Sequence, residues 1–180
     1  MRPNHPDWPN FARTLTGQHP AYDLVRLQHY LQAHPNHAPA HFHLAEILGD
    51  FRRYEEAHQA ARRGQAILGK PHAAFLELQG KLYFEAERHG LAQRKFLAAI
   101  ELAPGDPWPK LRLARSLRRQ GKRTEAEHWL DQTSSLPSQT ALERATIHRS
   151  RENWKLARNW FQRAAATHAL RDLDNVRKIP

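Results

Sequence analysis

The chain contains no cysteine. That single absence removes disulfide frameworks, thiolate zinc sites and cysteine nucleophiles together, while leaving the redox compartment open. Long apolar runs are missing as well: nowhere is there an uninterrupted stretch able to span a bilayer. The opening MRPNHPDWPNFARTLTGQHP holds no apolar core of signal-peptide length, so the expectation is a soluble protein of the cytoplasm. A glycine-rich nucleotide loop, a His-Glu-x-x-His helix and a nucleophile elbow are also lacking. The expectation is therefore no catalysis and no cofactor, although a catalytic partner on another chain stays open.

What the sequence does have is charge. Its 180 residues carry 28 Lys and Arg against 18 Asp and Glu, a formal net charge of +10. The excess is local. Residues 1–106 come to +1 and residues 164–180 to +1, whereas residues 107–163 hold 13 basic and 5 acidic side chains, or +8. Such a field attracts acidic partners but says nothing about fold.

Fold is written in a period. The stretch IELAPGDPW, residues 100–108, ends an apolar helix-prone run on Pro104 and Gly105 and starts another directly. At a spacing of 34, residues 73–106 place Gly80, Tyr83, Ala92, Phe96, Ala99 and Pro104 where two helices would cross closely. One unit back, residues 38–71 supply Leu44, Ala45, Leu48, Tyr54 and Ala57, with His41, Ala61 and Gly64 as departures. One unit forward, residues 107–137 supply Leu113, Ala114, Leu117, Gly121, Ala126 and Leu130, then stop three residues short in TSSLPS with Thr133 in place of an alanine. Residues 138–171 give Ala145, Ala157, Phe161 and Ala164, with Arg144 and His148 as departures.

This set resembles the tetratricopeptide (TPR) repeat, and the resemblance covers about four fifths of the chain. It implies an all-α fold, a right-handed α-solenoid of stacked helix-turn-helix repeats in which neighbours complete each other's core. The expected organisation is an extended arm over residues 1–19, a degenerate repeat over 20–37 with Asp23 out of pattern, four repeats over 38–171, and the end of a capping helix over 172–180. Pro104 then closes a repeat. Trp8 and Phe11 are unusual in a mobile arm, which either docks on the solenoid, inserts into a partner or stays free.

The resemblance implies binding of a peptide or partner domain in a concave groove lined by first helices. Mapped by position, that groove holds Phe42, Glu46 and Asp50, then Glu77, Lys81, Phe84 and Glu85, then Trp108, Leu111, Arg115, Arg118 and Arg119, then Leu142, Thr146 and Arg149. It passes from mildly acidic to strongly basic. Arginine forks suit carboxylates and phosphates, so Arg115, Arg118, Arg119 and Arg149 are expected to hold an acidic protein segment while Trp108 and Phe84 meet its apolar residues. Arg112 is a further candidate, but Phe42 and Glu46 occupy places that the family's C-terminal carboxylate clamp gives to other residues.

Three other readings stay open. One is that the arginines form a solvated face that only keeps the array soluble. Interleaved with Trp108, Trp129, Trp154 and Trp160, they also suit RNA or a ribosome as the second reading, although Trp129 and Trp160 fall on second helices where aromatics usually pack. The histidines of AHPNHAPAHFH, with His34, His37, His41 and His43, invite a metal, but His41 and His43 point apart on one helix. His43, Glu46 and Asp50 do share a helix face, with no nucleophile near them. No metal site is expected.

Overall fold

The structure is a computed structural model that describes residues 8–15 and 17–176, with side chains to residue 167. It is all-helical: α1 (Trp8–Arg13), α2 (Pro20–Ala33), α3 (Ala38–Asp50), α4 (Tyr54–Ile67), α5 (Ala73–Glu85), α6 (His89–Leu102), α7 (Pro107–Arg119), α8 (Arg123–Asp131), α9 (Pro137–Ser150) and α10 (Trp154–Val176). The chain forms two compact units, residues 1–102 and 103–180, a division the repeat pattern does not foretell. In the first, α3 pairs with α4 and α5 with α6, while α2 packs on α3 and α4 on α5. In the second, α7 pairs with α8 and α9 with α10, and α7 lies against α9.

The pattern residues are the ones that make these pairings close. Ala57, Ala92, Ala126 and Ala157 are all buried, each on the second helix of a pair. Phe96 fills the space beside Gly80 so tightly that a Cβ at position 80 would lie 2.5 Å from the ring. Gly64, a departure from the alanine pattern, plays the same part against Phe75 at 2.6 Å. Bulky side chain and missing side chain are therefore one feature of the packing.

Each first helix ends in the same way. Arg52, Glu87, Gly121 and Glu152 have φ of 59°, 60°, 80° and 58°, the left-handed region that glycine prefers. At every one of them the backbone N–H of that residue and of the next donates back into the final turn: Arg52 to Gly49 O at 2.8 Å and Arg53 to Leu48 O at 2.9 Å, for example. The repeated pairing satisfies the last helix carbonyls and turns the chain into the second helix. Successive turns stand 35, 34 and 31 residues apart, so the shortened copy is visible in the backbone.

The shortening falls on α8, which has 9 residues where α4 and α6 have 14. Buried Thr133 closes the gap: its Oγ1 donates to Leu130 O at 2.8 Å and meets Thr140 Oγ1 at 2.7 Å. The hydroxyl that replaces an alanine thus caps the curtailed helix end.

Two ends of the chain differ from expectation. Residues 8–13, read as part of an extended arm, form α1, and Trp8 is buried with ring centroids 5.4 Å from Tyr30 and 4.6 Å from His37. Burying an indole outweighs the local disorder signal of prolines and asparagines. At the other end α10 runs without a break from Trp154 to Val176, into residues 172–180 that were expected to form the end of a capping helix. Residues 1–7 of the arm and 177–180 of the cap lie outside the described residues.

Candidate functional site

The second unit concentrates the charge. Asp106 caps α7 by accepting from Trp108 N at 3.0 Å, and Pro107 fixes the first helical φ. From this start, α7 carries Arg112, Arg115, Arg118 and Arg119 on a helix whose other side buries Leu111, Leu113, Ala114 and Leu117. Trp108 stays 41% exposed beside the cap.

The arginines do not form a uniform ladder. Arg115 Nε donates to Glu143 Oε1 at 2.6 Å, and Arg118 Nε donates to Glu143 Oε2 at 3.2 Å. Glu143 sits on α9 with its side chain only 8% exposed. One buried carboxylate therefore orients two guanidinium groups, and the cluster keeps a net positive charge. Other acids of the unit are likewise taken: Arg151 pairs with Glu127 at 3.0 Å, and Arg144 pairs with Asp131.

Arg119 and Arg149 are exposed, and no carboxylate among the described residues lies within ion-pairing distance of either. Arg149 lines an open cavity of about 480 Å³ with Trp154, Ala157, Arg158 and Phe161, which α7 does not help to line. Trp154 is 64% exposed there. Arg158 and Phe161 follow Trp154 on α10 at helical spacing, so one face shows an aromatic, a cation and an aromatic in succession. Trp160 faces elsewhere, with Arg144 and Arg163 over its ring at 5.3 Å and 4.7 Å.

The remaining expected positions lie in the first unit. Phe42 packs edge-on to Phe75 with centroids 5.2 Å apart and belongs partly to the core. Lys81 lies 3.6 Å from Asp50 and 3.9 Å from Glu85, which neutralise it. Phe84 stands 5.3 Å from the His89 ring.

The histidine-rich stretch is distributed among separate tasks. His37 caps α3 by accepting from Ala40 N at 3.2 Å, His41 Nε2 donates to Pro35 O at 2.9 Å, and His34 lies against Tyr30. His43 bonds Glu46 at 3.1 Å, while Asp50 turns to Lys81. Among the described residues no three His, Asp or Glu side chains converge to hold a metal ion. No described helix is long and apolar enough to cross a membrane.

Comparison with solved structures settles the architecture. MamA from Desulfovibrio magneticus superposes with a TM-score of 0.73 at 14% identity, over 91% of this chain and 94% of that one. PilF from Pseudomonas aeruginosa gives 0.73 at 21%, over 88% and 73%. YrrB, described as a TPR protein with an unusual peptide-binding site, gives 0.63 at 17%, over 91% and 86%. The fold is that of a TPR protein. No family sequence model and no curated protein sequence matches the chain.

Within the TPR frame, α7 and α9 are first helices, and their facing side chains include the Arg115, Arg118 and Glu143 cluster. Sequence reading found the arginines and missed Glu143, since a lone glutamate 28 residues away on a polar helix carries no mark of burial. It also missed Arg158, although its spacing from Trp154 was there to be read.

Proposed function

We propose that the chain is a non-enzymatic interaction scaffold whose second unit captures an acidic protein segment. The observation that carries this reading is the cavity where Arg149 and Arg158 stand beside Trp154 and Phe161. Cations beside an aromatic floor suit an extended segment that alternates carboxylates with an apolar anchor. Arg119 adds an exposed cation on α7, and Arg115 and Arg118 extend the positive field while Glu143 fixes their side chains. A peptide is also the ligand class named for YrrB.

Titrating the full chain with a fluorescent peptide of Asp, Glu and a single Leu tests the reading. Arg149→Glu with Arg158→Glu is expected to weaken binding by roughly tenfold or more while circular dichroism stays unchanged. Unchanged affinity would exclude this cavity. Tighter binding of single-stranded oligouridylate, with steep loss on adding salt, would transfer the surface to RNA.

A further inference from the structure

The first unit is almost neutral by sequence, yet it contains a strongly positive cavity of about 500 Å³ between α4, α5 and α6. Arg62, Lys70 and Lys95 line it, together with His58, Gln79 and Tyr83, and no Asp or Glu does. Among the described residues none of these three cations has a carboxylate at ion-pairing distance. Three other cations of the unit are matched: Arg53 with Glu56, Lys81 with Asp50 and Glu85, Arg88 with Glu55. Leaving three uncompensated in one concavity costs Coulomb energy that an anion would recover.

The cavity wall is built rather than incidental. His58 is 5% exposed and lies tilted against the Tyr83 ring with centroids 4.0 Å apart. Its Nε2 is enclosed without a hydrogen-bonding partner. Gln79 Nε2 donates to Gln65 Oε1 at 3.3 Å and holds both amides on the wall. Burial, then Arg94 and Arg62, hold the Lys95 ammonium below its ordinary range. His58 is lowered chiefly by burial, with Arg62, Arg88 and Lys95 acting the same way and Glu55 opposing. Burial is thus the main cause in both groups, and Arg62 adds to the shift of each.

We propose that this cavity is an anion site for a phosphoryl group, held by Arg62, Lys70 and Lys95, with the Tyr83 ring beside whatever carries it. Three cations match the charge of a phosphate better than the single charge of a carboxylate, and the arginine fork and two ammonium groups supply donors to several oxygens. The site lies in the first unit, apart from the peptide surface of the second.

Calorimetric titration of the full chain with pyrophosphate and with adenosine monophosphate, at fixed ionic strength, tests it. One saturable site is expected. Arg62→Gln and Lys95→Gln each weaken it by roughly tenfold, while Arg63→Gln, exposed on α4 outside the lining, changes it by less than about twofold. Saturation raises the His58 pKa, followed by NMR. Binding of pyrophosphate alone assigns the site to inorganic phosphate, and equal or tighter binding of the nucleotide assigns it to a phosphate ester. Absence of saturable binding, or equal loss from Arg63→Gln, overturns the proposal. Acidic-peptide affinity is unchanged in Arg62→Gln, so the two readings fail separately.

Discussion

Arg115 and Glu143 meet at 2.6 Å across α7 and α9, with Arg118 on the other oxygen of the same carboxylate. This pairing makes Arg115 and Arg118 supports of the second unit as well as sources of its field. Removing the buried carboxylate strands two partly exposed cations. Glu143→Ala is expected to lower stability by about 2 kcal/mol, less than for a fully buried pair because solvent reaches both arginines. Urea unfolding measures it, with Glu143→Gln recovering part of the loss.

Gly80 and Phe96 give a prediction of opposite sign from an ordinary helix substitution. Gly80→Ala forces a methyl to 2.5 Å from the ring and is expected to cost about 1–3 kcal/mol. Gly90→Ala, with open space around it, gains helix propensity and raises stability by up to about 1 kcal/mol. Thermal unfolding of the two variants compares them directly.

The left-handed turn residues predict a stabilising change. Glu152 is exposed with φ of 58°, so Glu152→Gly relieves a conformation that side chains disfavour and is expected to add about 0.5–1 kcal/mol. Gly121→Ala, at φ of 80°, is expected to remove about 1 kcal/mol. Denaturant midpoints at constant slope report both.

How far these features were legible varies with their physical origin. Ala92, Phe96 and Gly80 announce themselves because close helix crossing restricts size, and size shows in sequence. Gly121 marks its turn, whereas Arg52, Glu87 and Glu152 hide theirs, since backbone hydrogen bonds into the preceding helix impose the left-handed φ on residues that do not favour it. Trp8 stands out in a proline-bracketed arm, but its docking on Tyr30 and His37 depends on contacts distant in the chain. The candidate sites were half legible. Counting charge by segment located the basic second unit, yet the same counting hid Arg62, Lys70 and Lys95, whose local excess is cancelled in the sum by acids paired elsewhere.

His58 carries a pH dependence. Burial depresses its folded-state pKa below the ordinary value of 6.5, so the unfolded chain binds the proton first. Its contribution to stability is present in full above 6.5 and is lost as pH falls from there through the depressed folded value. Histidine-resolved NMR titration should find His58 below 6.5, and His58→Gln should lessen the fall in stability on acidification.

The most direct test of the scaffold reading is capture of partners from lysate by the tagged chain and by its Arg119→Glu, Arg149→Glu, Arg158→Glu variant, each with and without nuclease. The account predicts a protein partner that survives nuclease and is lost from the variant. Partners that leave with nucleic acid, or that the variant retains in full, would contradict it.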